Sequence, residues 1–215
     1  MTDVNTKYPY LDENLPDALP VLASAREQFV ADLHGKHYYA AKRGRLFIAT
    51  SLTGGIALVV AATTGNHPTL WNPAGSGRNI SIKRLTLGYV SGNNAPGSLA
   101  WNITKDAGSV VATGGAIETF THVDVQSAMG GGAVDSVAKW APAICTFAVA
   151  PALYYTSGIS LFTGVAATAV APFPLEEDYD GMLNIKPGNA LSLVTVQATT
   201  TSLLRVTVIF EEIDE

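Results

Sequence analysis

Cysteine is almost missing from this sequence. Cys145 stands alone among 215 residues, which excludes an intramolecular disulfide framework and any multi-cysteine zinc centre. Charge is scarce as well, at 14% against about 25% in an ordinary soluble domain. Positive charge is the scarcer sign: 13 Lys and Arg stand against 18 Asp and Glu, a net charge of −5. That balance argues against a nucleic-acid binder, which needs a cationic stripe along the phosphates. No cationic segment followed by an apolar stretch opens the chain, so no secretory leader is expected. From Trp140 to Leu175 no residue is charged, but Pro142, Pro151, Pro172, Pro174, Gly158 and Gly164 interrupt the stretch. A spanning helix would leave those gaps in its hydrogen bonding facing lipid, and no membrane span is expected.

What is present is apolar content, 47% of the chain and spread along its length. Disorder is thereby excluded, and a chain this long buries roughly 70% of its unfolded surface without a metal or disulfide staple. Residues 1–44 differ from the rest. The prolines at 9, 16 and 20 push the residues before them toward extended geometry, giving an arm. Leu22, Ala25, Phe29 and Leu33 then fall at helical spacing, and His34-Gly35 is a plausible stop. The spacing predicts one short amphipathic helix, too small to build a core alone.

From residue 45 to 215 the pattern is β throughout, so the chain reads as an N-terminal arm and helix (1–44) followed by a β domain (45–215). Leu46 to Ile48, Ile56 to Ala62 and Thr69 to Trp71 are short apolar runs between glycine and proline breaks. Asn79 to Val90 alternates but changes phase: Ile80 and Ile82 hold one parity, Leu85, Leu87 and Tyr89 the other. A bulge near Lys83-Arg84 reconciles them in one bent strand. Leu99, Trp101 and Ile103 alternate cleanly; Val110-Val111 and Ile117 to Val123 read as further strands. The stretch 186–189 (KPGN) has the signature of a type II turn. Ala190 to Val196 follows as a strand, and in the last one Leu204, Val206, Val208 and Phe210 share a face opposite Arg205, Thr207 and Glu211. Many short strands with almost no helix between them predict an all-β fold, an antiparallel sandwich or barrel.

Few residues form a constellation with chemistry. His34 and His37 are three apart but lack a third metal ligand nearby, and two surface histidines at a helix end explain them more simply. His122 and Asp124 share one side of a strand, yet no Gly-x-Ser-x-Gly elbow accompanies them, and Cys145 sits in an apolar run that suits a small buried hydrophobe. Glu118, Asp124, Asp135 and the cluster Glu176-Glu177-Asp178 are candidate acid–base pairs whose separation the sequence does not give; as loop residues they are expected to be solvating. Gly130 to Gly132 lacks the continuation of a phosphate-binding loop, as does the Gly75-Ser76-Gly77 turn. The sequons at Asn79 and Asn102 lie in predicted strands. No catalytic, metal or cofactor residue is therefore expected, and no enzyme activity.

Ile56 to Thr63 and Ile144 to Ala150 read apolar or small on both parities, whereas a sheet with one wet face alternates. A second layer must cover the outer face, and a neighbouring subunit is the economical candidate.

The stretches 44–51 (GRLFIATS), 71–77 (WNPAGSG), 85–92 (LTLGYVSG), 185–193 (IKPGNALSL) and 208–213 (VIFEEI) together resemble a group of tailed-bacteriophage virion structural proteins. The likeness covers most of residues 35–213, with 130–174 matching least, and its motifs are turn and strand-edge patterns. What it implies is a jelly-roll-like subunit, a homotrimer fixed to a major capsid or tail protein as a decoration, cement or spike component of the virion, made in the host cytoplasm. The arm and helix would be the anchor, with Tyr8, Tyr10, Leu22, Phe29 and Leu33 as contacts to the partner, and neither nucleic acid nor membrane as partner. A second reading is a receptor- or glycan-binding module with Trp71, Trp101, Trp140, Tyr154 and Tyr155 as aromatic platforms. A hydrolase or metal enzyme on the same scaffold ranks below both.

Overall fold

Alternate residues Leu204, Val206, Val208 and Phe210 of the last strand are all buried in the computed structural model, and the architecture follows from that face. The structure describes residues 36–60, 62, 64–92, 97–104, 119–120, 125–130, 136–147, 151–161, 175–196 and 202–215, with the backbone of 21–22 and 28–29; at 97, 119–120 and 159–161 it describes the backbone alone. Two compact units divide between Tyr39 and Ala40.

In the first unit, β1 (Val21–Leu22) pairs antiparallel with β2 (Gln28–Phe29). The helix expected over Leu22 to Leu33 is thus corrected: Leu22 and Phe29 lie on paired extended backbone, a case of strand pairing overriding helical spacing. The short helix α1 lies at Tyr38–Lys42 instead. Gly44, in a left-handed conformation at φ 68°, ends it by donating to the Ala41 carbonyl at 2.9 Å.

The second unit is an antiparallel sandwich. One five-stranded sheet has the order β13 (Leu175–Ile185), β6 (Arg78–Ser91), β15 (Leu203–Asp214), β3 (Leu46–Thr50), β9 (Gln126–Ser127). The other runs β10 (Lys139–Ala141), β5 (Thr69–Trp71), β14 (Ala190–Thr195), β7 (Gly97–Thr104), β12 (Ala152–Leu161). Their inner faces share one apolar core that includes Phe47, Ile80, Leu85 and Phe210 from the first sheet and Leu70, Trp101, Trp140 and Leu191 from the second. The bulge in β6 falls where the phase change requires it. Ile209 pairs with Arg84 and Phe210 with Ile82, leaving Lys83 as the extra residue. On the other side of β6, Asp178 pairs with Arg84 and Leu183 with Ile82. β13 therefore loops out there, with Asp180 at φ 46° and Gly181 at φ 88°.

A small third sheet, β4 (Thr64–Asn66), β11 (Ile144–Thr146), β8 (Thr119–Phe120), covers part of the second sheet from outside. Cys145 and Phe147 pack there with Ala141, Ala190 and Trp71. Every residue of β14 is buried as a result. The stretch Ile144 to Phe147, read as needing a cover, is itself the outer layer: Cys145 and Phe147 are buried against the second sheet, while Ile144 is exposed. Ile56 and Val60 form isolated bridges, to Leu204 and Thr195, in place of a regular strand. Glu176, Glu177 and Asp178, expected in a loop, lie within β13. No helix among the described residues is long and apolar enough to cross a membrane.

Candidate functional site

Three polar side chains that the fold buries or half-buries organise the described part of the second unit. The first is Glu177, on the parity of Leu175 and Tyr179 in β13. Parity turns it from the strand's solvent row toward β12, the edge strand of the opposite sheet. Its carboxylate accepts from the Tyr179 hydroxyl at 2.8 Å, the Gly158 backbone N–H at 3.1 Å, the Tyr155 hydroxyl at 3.4 Å, and the Ser157 hydroxyl. The Tyr179 oxygen in turn accepts from the Trp101 indole N–H at 2.8 Å, and the rings of Trp101 and Tyr155 meet the Tyr179 ring edge-on. Burial is the main force raising the Tyr179 pKa; the adjacent Glu177 carboxylate adds to it while the Trp101 N–H opposes. Tyr155 is raised for the same two reasons, burial and then Glu177. A carboxylate has about four lone-pair sites, and here four donors use them. That geometry holds two strands together and is poorly suited to exchanging protons with a substrate.

Asn72 is the second. It is fully buried after β5, and its amide donates to the carbonyls of Arg78 at 2.7 Å and Ile185 at 2.9 Å, while its side-chain oxygen accepts from the Ser76 hydroxyl at 2.6 Å. Its backbone N–H donates to the Asn189 carbonyl at 2.9 Å, and its carbonyl accepts from Gly188 N–H at 2.8 Å. Two of the stretches that carry the resemblance, 71–77 and 185–193, therefore meet at one corner. Gly75 and Gly77 supply the left-handed backbone that its tight turn needs, at φ 76° and 68°. Their role is to fix the corner.

The third is Glu212, on the inward parity of β15 and with a fully buried side chain. It pairs with Arg78 at 2.8 Å and accepts from the Ser136 hydroxyl and the Val137 and Ala138 N–H groups at 2.6, 2.9 and 3.3 Å. Beside it, Lys83 on the β6 bulge meets Glu211 at 3.0 Å. A buried carboxylate with this many partners fastens residues 136–138 to β15; removing a partner leaves an uncompensated charge.

Tyr8, Tyr10 and Leu33 lie outside the described residues, as do His34, Glu118, His122, Asp124 and Asp135. Leu22 and Phe29 are placed by backbone only, across from each other's neighbours in the β1–β2 pair. His37 is half-buried just before α1. Cys145 is buried. Among the described residues no group of three or more His, Cys, Asp or Glu is gathered so as to hold a metal ion. The sequon residue Asn102 is buried within β7, where a glycan has no room. Trp101 and Trp140 are core residues; Trp71 and Tyr155 are half-buried, and of the five aromatics considered as platforms only Tyr154 is exposed.

No family model, curated protein or solved structure matches this chain.

Proposed function

We propose that this chain is a non-enzymatic structural component of a bacteriophage virion, an oligomeric decoration, cement or spike subunit that assembles with copies of itself and attaches to a capsid or tail protein through its N-terminal arm. The support from sequence is the set of turn and strand-edge motifs described above. The observation that carries the assembly part is the contrast between the two long edge strands. β13 exposes Glu176, Asp178 and Asp180, so the same edge of another copy is repelled. β12 carries no charge in its ten residues and exposes Leu153 and Tyr154. In a chain of net charge −5, β12 is the long edge along which copies can meet without like-charge repulsion. The three polar clusters are consumed in fixing the framework, which suits a subunit whose work is to hold its shape.

Mass by light scattering tests the reading directly: an assembly of three 22.5 kDa chains is expected, and a stable single chain in dilute solution overturns the assembly. Electron microscopy of particles from the host then has to place the chain on a capsid or tail; its absence from purified particles overturns the virion assignment.

A further inference from the structure

His67 lies between β4 and β5, at the joint where the small outer sheet meets the sandwich. It is fully buried, its ring faces that of Phe147 with centroids 5.7 Å apart, and it lies so close to Gly65 that a Cβ there would come within 3.1 Å of the imidazole. Among the described residues neither ring nitrogen meets a partner with full hydrogen-bond geometry, although the Cys145 backbone lies close enough to interact with the ring. On the strand that pairs with β4, Cys145 stands opposite Gly65. At the joint the Thr69 hydroxyl donates to the His67 carbonyl at 2.8 Å and shares a 3.0 Å hydrogen bond with Ser192, while the His67 N–H donates to the Gly65 carbonyl at 2.9 Å and the Leu193 N–H to the Pro68 carbonyl at 3.0 Å.

We propose that His67 is an acid-sensitive latch: neutral, it locks the outer sheet β4–β11–β8 onto the sandwich, and protonated, it releases that sheet and uncovers Cys145 and Phe147. The reason is the surroundings of the ring. The groups shown against it are the Cys145 backbone and the Phe147 ring from β11 and Gly65 from β4. None of these groups is a charged side chain, and among the described residues no charged side chain contributes to the proton affinity of His67. A proton arriving from solvent therefore makes a buried imidazolium with no counter-ion among the described residues, which hydration in an opened state relieves. Burial holds the pKa below the ordinary 6.5, against a weaker opposing effect from the Cys145 backbone. The sign follows. A group whose pKa is depressed in the closed state stabilises that state above about pH 6.5 and loses this contribution as pH falls below it, at up to about tenfold in the opening equilibrium per pH unit.

The sole thiol of the chain reports the opening. Cys145 in the full-length protein is labelled with 4,4′-dithiodipyridine, which reacts in acid, between pH 7.5 and 5.5, with far-ultraviolet circular dichroism recorded in parallel. Each rate is referred to that of the same thiol in the urea-unfolded chain at the same pH, which removes the fall in thiolate fraction in acid. The expected result is about a tenfold higher relative rate at pH 5.5 with the β spectrum intact. His67→Phe is expected to flatten the profile. A flat wild-type profile, an equal acceleration in His67→Phe, or loss of the β spectrum along with the labelling each overturns the latch. Should His67→Phe fail to fold, amide exchange of the wild-type protein decides. Acid-accelerated exchange confined to residues 64–67 and 144–147 supports the latch, and acceleration shared by β14 and β15, or none, overturns it.

Discussion

β12 and β13 are neighbours at the same side of the sandwich, are of similar length, and solve the edge-strand problem in opposite ways. A free edge presents unpaired backbone groups that invite another chain. β13 meets this with three exposed carboxylates, Glu176, Asp178 and Asp180, and an outward loop at Asp180-Gly181. β12 has neither charge nor proline in its ten residues; of its backbone donors, that of Gly158 is taken by Glu177. At the far side of the sandwich the edges are β9 and β10, of two and three residues, and shortness protects them. The difference between β12 and β13 teaches that, among the described strands, one long edge is guarded against self-pairing and the other is not, and the unguarded one is the place to look for a partner.

The largest expected effect tests whether both edges hang from a common core. Val206 lies fully buried at the centre of the first sheet, so Val206→Asp buries an unpaired charge and is expected to cost more than about 4 kcal/mol, unfolding the protein. β12 remaining resistant to protease in that variant would mean that the two sheets fold separately. Next in size is the bond between the edges themselves. Glu177→Ala strands the donors of Tyr155, Ser157, Tyr179 and Gly158 at once, and a loss of roughly 2–4 kcal/mol in denaturant titration is expected. A loss below about 0.5 kcal/mol would show that β12 and β13 are joined by something other than this carboxylate.

Tyr179→Phe removes only the relay, leaving the Trp101 N–H without its acceptor, and is expected to cost roughly 1–2 kcal/mol. Combined with Glu177→Ala, the cost should be less than additive, because both act on one network. The phenol also carries a pH signature. Its pKa is raised in the folded protein, so the stability it adds is present below pH 10, the ordinary value, and is lost as pH rises above that. Tyr179→Phe should flatten that part of the alkaline profile in urea titrations between pH 8 and 11; an unchanged profile would assign the loss to other tyrosines.

The sandwich was legible in sequence because its central strands alternate. Leu99 to Ile103 and Leu204 to Phe210 declare their faces, and the phase slip between Ile82 and Leu85 locates the bulge at Lys83. The contrasting edges were harder to read. β12 has no polar partner set to give it a period, and the EED run of β13 has the composition of a loop. Glu177 and Glu212 nonetheless leave a trace: each sits on the inward parity of its strand, Glu177 with Leu175 and Tyr179, Glu212 with Val208 and Phe210. A carboxylate on a core parity signals a buried network, but which donors it meets depends on strands 20 to 75 residues away. Asn72 gave less warning still, because besides its local partners Ser76 and Arg78 it meets the end of β13, 113 residues downstream. The helical spacing of Leu22 to Leu33 misled for the converse reason: over so few turns, periodicity is a weak constraint against strand pairing.

A smaller effect belongs to the outer face of β13. Arg84 meets Asp178 through two hydrogen bonds, at 2.6 and 3.0 Å, and both side chains are exposed. Solvent screens such a pair, so Asp178→Asn is expected to cost about 0.2–1 kcal/mol, a difference that salt should erase. A loss above about 2 kcal/mol that persists in salt would mean that the acidic edge of β13 is structural and not merely repulsive.

The smallest effect on folding should be the one that matters most for assembly. Tyr154 is exposed on β12, and its replacement by Lys touches no described hydrogen bond, so folding stability should change by no more than about 0.5 kcal/mol. A cation on this neutral edge converts it to the guarded kind, and light scattering should show the mass of the assembly falling toward that of a single chain. Glu176→Lys on β13 is the matched control and should leave the mass unchanged. If the two substitutions act alike, or if only the β13 variant dissociates, charge on the edge strands does not determine where copies meet, and the contrast between β12 and β13 has been assigned the wrong meaning.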